Sequence, residues 1–488
     1  MGFENIEHVV VVMFENRSFD NLLGWLYDND KNRPKFNIPP QDPTYFEGLA
    51  PNKYSNLFGQ QRVFTSRPTT GWPSCPNPNQ VPTPDPHEEF EHVTEQLFGT
   101  KTPSAGQQAD MSGFLKNYST TDAREESAGQ IMQTYGPDEA NVINELARNF
   151  AVCDHWFASV PSQTWPNRGF VHTGSSDGHI NNDTYEWYHI PTIFNVLQDQ
   201  GKSWGVFFDT DVTPSLTYWQ FPYTGGLRDN FRVYSVFKRL CKALPHADPA
   251  EKLPAYSFIE PRFVPEFLGI EQPSDYHPPH NICRGETFLA GVYQAIRNSP
   301  YRDKILLFVT FDEHGGCYDH VPPPTGAIAP QPWPVSRDGT FAFNRYGVRV
   351  PAIVVSSYVE PGTVFRASEG GQPYDHTSVL STLRDWLGLA VDPSRFLPSP
   401  RIAAAPTLDR VLTRVTGNEN KDWPDITAKC TIDQKDVSPD TPLNDLQKSL
   451  LAATKVLNAG DHPAVIAQKA KQLKIYDHGA MFLQPDNS

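Results

Sequence analysis

Apolar residues in this chain gather in short β-branched runs separated by stretches of helical spacing. Residues 6–13 (IEHVVVVM) form one such run, the pattern of a strand covered on both faces. The signature recurs at 203–208 (SWGVFF), 255–260 (AYSFIE), 304–311 (KILLFVTF) and 348–358 (VRVPAIVVSSY). Helical spacing covers 88–99, 136–150, 192–201, 285–298 and 376–388. Strand and helix alternating over such a length predict an α/β fold. Its form is a three-layer α/β/α sandwich with a mostly parallel central sheet. From 30 to 86 the periodicity gives way to Pro, Asn, Gln and Gly, as in GWPSCPNPNQVPTPDP. A Pro-rich loop of that length often builds the wall of a site. Beyond 400 the pattern changes again. Leu443, Leu446, Leu450 and Leu457 recur at helical spacing, predicting a helical extension over 401–488 packed on a main domain over 1–400.

Composition narrows the field. The 488 residues carry 41 Lys and Arg against 56 Asp and Glu, a formal charge of −15. That excludes a nucleic-acid binder, which needs a basic face, and limits membrane association to peripheral contact. Thirty Phe, 19 Tyr and 10 Trp suit a large core. No stretch reaches the ~18 apolar residues of a membrane span. The start, MGFENIEHVVVV, lacks a basic segment followed by an apolar one. The expected address is cytoplasmic, or exported by a route without such a signal, or this is a chain whose leader has been removed. The six Cys form no CxxC pair, since the nearest two, Cys283 and Cys317, lie 34 positions apart. Buried thiols are expected, with one or two disulfides if the chain is exported.

Two polar clusters sit where α/β sheets hold their chemistry, just past the carboxyl ends of strands. One is Glu15-Asn16 after the 6–13 strand. The other is Asp312-Glu313-His314-Gly315-Gly316 after the 304–311 strand. Carboxylates and an amide oxygen are hard donors suited to a divalent cation, and without one such a cluster repels itself. Helix caps or solvated turns are the structural alternative. A third feature is SVPSQTWPNRGF, where Thr164 precedes Pro166-Asn167-Arg168. A hydroxyl near a helix start, with free N–H groups and a guanidinium nearby, suits attack on an anion such as phosphate, although a turn or N-cap is the commoner role. His87 after PTPDP, His277 and His280 in YHPPH, and His376 in YDHTS stand in stiff or helix-start contexts. Neither GxGxxG, GxxxxGK nor GxSxG occurs in a fitting context, which disfavours dehydrogenases, P-loop ATPases and α/β-hydrolase esterases.

IEHVVVVMFENRSFDNLLG, LARNFAVCDHWFASVPSQTWPNR, YHPPH, FVTFDEHGGCYDHVPPP and YDHTSVLSTLRDWLGL together carry a resemblance. They resemble, in order, the bacterial phosphoesterase family. That family holds phosphatidylcholine-type phospholipases C, plant non-specific phospholipases C and acid phosphatases of the AcpA type. The resemblance implies an alkaline-phosphatase-like sandwich and a catalytic phosphoesterase domain over 1–400.

The resemblance also implies roles. Glu15, Asn16, Asp312, Glu313 and Thr164 would hold one divalent metal ion, whether Ca, Mg, Mn, Fe or Zn. Thr164 would be the nucleophile. His277, His87 and His376 would serve as catalytic histidines, and Asn167, Arg168 and His280 would contact substrate. Either His277 or His280 would protonate the leaving group. The implied activity is a phospholipase C acting on phosphatidylcholine-like lipids through a phosphothreonine. An acid phosphomonoesterase using the same site is the alternative, and an inactive binding protein a distant third. Trp72, Trp165, Trp187, Trp204 and Trp219 are candidates for cation–π contact with a choline headgroup, against plain packing. Family members with export signals and added β domains differ from this chain, which leads to the expectation of a compact single-catalytic-domain enzyme.

Overall fold

The computed structural model describes residues 3–459 apart from 28–32, 69–76, 122–124, 183–186, 211–212, 214, 222–226, 245, 266–271, 390–394, 416–422 and 433–441. A nine-stranded sheet forms its centre. In chain order the strands are β1 (His8–Phe14), β2 (Phe36–Ile38), β3 (Ala151–Cys153), β4 (Trp204–Phe208) and β5 (Phe231–Val233). They continue with β6 (Tyr256–Glu260), β7 (Ile305–Phe311), β8 (Ala352–Val355) and β9 (Thr363–Phe365). Across the sheet the order is β2-β9-β3-β8-β7-β1-β6-β4-β5. Among these described strands only β8 runs antiparallel to its neighbours.

The helices that matter here are α1 (Phe90–Phe98), α2 (Asn141–Asn149), α3 (Thr164–Thr173), α4 (Ile282–Arg297), α5 (Thr377–Trp386) and α6 (Asp445–Ala459). Every residue of β1 and β7 is buried, so both faces of the sheet are covered. One helical layer contains α2 against α4, the other α3 against α5. The α/β/α sandwich expected from the sequence is the observed architecture. No described helix is long and apolar enough to cross a membrane.

Three expectations need correction. The strand expected over 348–358 spans only Ala352–Val355 and is antiparallel. Pro351 has no N–H to give a ladder, and Arg349 turns away into an ion-pair network. The segment 30–86 is not all loop. It holds β2 and a hairpin of Ser55–Phe58 with Gln61–Phe64. These strands are short and largely exposed, so they leave little apolar alternation to read. Cys283 and Cys430 form a disulfide, while Cys153, Cys241 and Cys317 are buried thiols. Trp72, Cys75, the side chain of Leu457 and residues 460–488 lie outside the described residues. Residues such as Ile402, Leu408, Trp423 and Ile426 share the main core, and α6 packs by Leu446, Leu450 and Ala453 onto Trp165, Trp219 and Phe263.

The segment after β1 is tied down residue by residue. Arg17 donates to the carbonyls of Tyr276 (2.7 Å) and Val81 (2.6 Å). Ser18 donates to the carbonyl of Tyr318 (2.6 Å) and caps the helix that follows. Asp20 pairs with Arg349 (2.9 Å) and with His320 (2.6 Å), and Arg349 also holds Asp319 (3.0 Å). These contacts fix the chain after β1 against the chain after β7.

His320 lies between Asp20 and Glu47, the latter 3.2 Å away. Burial opposes its charge, but the two carboxylates outweigh burial and lift it to about 9. A histidine raised in the folded state contributes its stability in full below the unfolded value of ~6.5, and loses it as pH rises through the folded value. The shift corresponds to on the order of 3 kcal/mol. His320→Gln should therefore lower the unfolding free energy by roughly that amount near pH 6, with the difference closing by pH ~10. Urea titrations across this range check it, and a difference that does not depend on pH would refute the assignment.

Candidate active site

The carboxyl ends of β1 and β7 lie side by side, with Phe14 opposite Phe311. Glu15 and Asn16 leave one strand, and Asp312 and Glu313 leave the other. The Asp312 N–H donates to the Phe14 carbonyl (3.1 Å) and the Asn16 N–H to Asp312 Oδ1 (3.2 Å). Asn16 has φ 57°, a left-handed turn that Asn tolerates better than most residues. Gly315 is required by contact as well as by its φ of 59°, since a Cβ there would stand 2.2 Å from the Asn16 carbonyl oxygen.

Helix α3 brings the hydroxyl. Thr164 is its first residue, where backbone N–H groups lack helical partners. Its Oγ1 donates to Glu15 Oε2 (3.1 Å) and lies 3.5 Å from Asn16 Oδ1. Four residues on, Arg168 reaches between the two strand ends. It donates to Glu15 Oε1 through Nε (3.0 Å) and a terminal nitrogen (2.6 Å), and to Asp312 Oδ2 through Nε (3.2 Å). Its other terminal nitrogen has no hydrogen-bond partner among the described residues. Arg168 thus braces the expected ligands. Asn167 spends its amide inside the turn that enters α3, on Val160, Ser162 and Gln163. It shapes the backbone around Thr164.

The histidines divide. His277 holds a proton on Nδ1 toward the Pro278 carbonyl (2.6 Å) and offers a bare Nε2 to the Asn16 amide (2.8 Å). Burial pushes it down to about 3, so it is neutral at pH 7. The next His of the loop, His280, pairs through Nδ1 with Asp275 (2.7 Å), and its Nε2 meets the Gln447 amide of α6 (3.2 Å). Behind the site, His376 gives Nε2–H to the Asp312 carbonyl (2.6 Å) and takes a bond from the Trp156 indole at Nδ1 (3.3 Å). One nitrogen holds Asp312 and the other is held by Trp156. His87 turns the other way, with its ring stacked on His92 at 4.1 Å and Glu89 close by.

A residue not singled out in the sequence takes the place facing the site. Glu88 accepts from the Asn16 amide, sits 3.8 Å from His277 Nε2, and is 3.5 Å from the Gln163 amide. Asp85 adds a further carboxylate 3.5 Å from His277 Nδ1. The signal available was PTPDPHEE itself, a stiff turn carrying three acids around one His.

Charge at this point is badly out of balance. Five carboxylates, Glu15, Asp312, Glu313, Glu88 and Asp85, are set against Arg168, which holds the first two, and Arg17, which acts on Asp85. Burial, then Asp312, pushes Glu15 well above the usual carboxylate range despite Arg168. Burial, then Asp312, does the same to Glu313, and burial with Glu313 and Asp85 to Glu88. Glu313 Oε1 is buried without a hydrogen-bond partner among the described residues. An orphaned carboxylate oxygen, two more carboxylates, an amide oxygen and a hydroxyl are hard oxygen donors, and the residues fit a divalent cation. Ca, Mg, Mn, Fe and Zn are all compatible with that set.

Among the tryptophans, Trp204 belongs to the core against Phe194, which makes it a packing residue. Trp165 and Trp219 are likewise buried, packed with the partly buried Trp187 against Leu446 and Leu450 of α6.

The model of the phosphoesterase family matches residues 6–390. The chain is 32% identical over 492 residues to non-specific phospholipase C3 of Arabidopsis thaliana, covering 96% of this chain and 86% of that one. It is 34% identical to non-specific phospholipase C4 of the same plant, covering 85% and 73%. It is 26% identical to the non-hemolytic phospholipase C of Burkholderia pseudomallei (strain K96243), covering 77% and 54%. A solved protein in the alkaline phosphatase superfamily from Vibrio parahaemolyticus aligns with 12% identity and a TM-score of 0.30, over 52% of this chain and 61% of that one. The chain belongs to the phosphoesterase family and is a hydrolase of phosphoric esters.

Proposed function

We propose that this enzyme is a metal-dependent phospholipase C that cleaves phosphatidylcholine-like lipids to diacylglycerol and a phosphorylated headgroup. The observation that carries the reading is the Thr164 hydroxyl at the start of α3, 3.1 Å from Glu15 and 3.5 Å from Asn16, in a cluster of acids that includes the orphaned oxygen of Glu313. The similarity to plant and bacterial phospholipases C supports the diester choice.

When bound, a divalent cation at this site lowers the pKa of a coordinated hydroxyl and offsets charge on the phosphoryl oxygens. Thr164 Oγ attacks phosphorus as its proton passes to Glu15, the acceptor it already contacts. With the phosphate anion bound, His277 takes up a proton on Nε2 and passes it to the departing diacylglycerol oxygen, which leaves Nε2 bare and the headgroup phosphate on Thr164. Water then attacks the phosphothreonine, giving its proton to the bare Nε2 of His277, while Glu15 returns its proton to the departing Thr164 oxygen and regenerates the threonine. Burial disfavours charge on His277, and an incoming phosphate anion offsets that burial. Arg168 and His376 hold Glu15 and Asp312 in place without touching substrate.

The test uses purified protein with Mn²⁺, offered p-nitrophenylphosphorylcholine and p-nitrophenylphosphate. Turnover of the diester is expected, and turnover of the monoester alone would replace the phospholipase reading with a phosphomonoesterase. Thr164→Ala should lose at least ~10³-fold in kcat with an unchanged melting curve. Retention of more than a few per cent of turnover would remove Thr164 as nucleophile. Chelated protein should gain stability when Mn²⁺ is added, by about 2.7 kcal/mol at a hundredfold excess over Kd. Asp312→Asn should abolish most of that gain. A melting temperature indifferent to Mn²⁺ would show that no cation binds there.

A further inference from the structure

The Pro-rich loop was expected to deliver a histidine to the site. The side chain that arrives is the next one along. His87 is stacked on His92, and its backbone carbonyl is held by the Gln96 amide (2.7 Å). Glu88 is turned inward and buried, touching Asn16 and Gln163 and lying close to His277. Gly316 lets the loop approach this closely, because a Cβ there would stand 2.6 Å from the His87 carbonyl oxygen.

We propose that Glu88 is a positioning residue of the phosphoesterase site. It accepts a hydrogen bond from the Asn16 amide and so turns the oxygen end of that amide toward Thr164 and the cation site. This rests on the reading of Asn16 and Thr164 given above.

An asparagine amide has two ends of nearly equal size and opposite polarity, and only its partners decide which way it faces. Asn16 Nδ2 has two acceptors, Glu88 and the bare Nε2 of His277. Its Oδ1 is thereby left beside the Thr164 hydroxyl. Nitrogen is no ligand for a hard cation when it is an amide NH₂, whereas the carbonyl oxygen is. Without Glu88, His277 alone fixes the flip, and His277 itself loses a polar neighbour. The same carboxyl group also spans to Gln163, the residue just before the nucleophile, whose Oε1 accepts from the Asn182 N–H (2.9 Å). Glu88 therefore links three elements of the site: the turn after β1, the entry to α3 and the HPPH loop.

The experiment compares Glu88→Gln, Glu88→Leu and His87→Ala in the full chain. Mn²⁺ affinity is read by calorimetry, and kcat and KM on p-nitrophenylphosphorylcholine. Glu88→Leu removes the acceptor at similar size and should weaken Mn²⁺ binding and lower kcat by about tenfold to a hundredfold, with KM little altered. Glu88→Gln keeps a carbonyl oxygen and should restore most of both. His87→Ala should cost at least about tenfold less than Glu88→Leu. Unchanged Mn²⁺ affinity in Glu88→Leu would overturn the proposal. So would a Glu88→Gln variant as impaired in kcat as Glu88→Leu, which would make Glu88 a proton-transfer group, and so would an equal loss in His87→Ala. Should Glu88→Leu fail to fold, Glu88→Asp, one methylene too short to reach Asn16, takes its place with the same expectation. If the wild type turns over neither ester, the functional reading falls, and the Mn²⁺ titration of the same variants still decides the role of Glu88.

Discussion

The parallel pairing of β1 with β7, His8 beside Ile305 through Phe14 beside Phe311, is the constraint on which this molecule depends. Nearly 300 residues separate the two strands in sequence, and the register leaves no slack. A shift of one position would turn each strand's side chains to the opposite layer. With the register set, Glu15 emerges beside Asp312 and Asn16 beside Glu313. Every residue of both strands is buried, so their apolar burial secures the register, at ~1.5–3 kcal/mol for each large side chain. That stability offsets what the acids at the strand ends cost when they are withdrawn from water.

The polar residues that follow β1 then act as a harness. Arg17, Ser18 and Asp20 each bond to a different part of the chain: the HPPH loop and the Pro-rich loop, the turn after Gly316, and the Arg349 network. ENRSFD is therefore two working residues followed by their moorings. The same division runs through α3, where Thr164 is directed at the site while Asn167 and Arg168 hold the backbone and the acids in place.

Sequence alone exposed the parts with strong local signatures. Wholly apolar strands such as VVVVM and LLFV can only be central, and acids directly after them sit at the mouth of the sheet, where packing has no use for them. Helix ends were harder to place but their existence was plain. What the sequence hid depends on where side chains point across long separations. His87 and Glu88 are neighbours in a loop without periodicity, so nothing local says which of them turns inward. Asn167 and His376 occur in motifs that suggest contact with substrate. Their bonds to Val160 and Ser162, and to the Asp312 carbonyl, depend on how the chain folds, which the motifs themselves do not state. Within 30–86, β2 owes its existence to β9, whose residues come more than 300 positions later. The Cys283–Cys430 bridge spans 147 residues and has no signature in spacing.

The central place of β1 has a consequence for biosynthesis. It leaves the ribosome well before its sheet neighbours, β6 and β7. A bare VVVVMF segment must wait for about 250 further residues before β6 can pair with it, and about 50 more for β7, at ~5–20 residues per second. During those tens of seconds it is the kind of short, uncharged β-branched stretch that seeks any free edge. The nascent chain is therefore most vulnerable at its own future centre, and chaperone demand should fall sharply once residue 311 has cleared the exit tunnel.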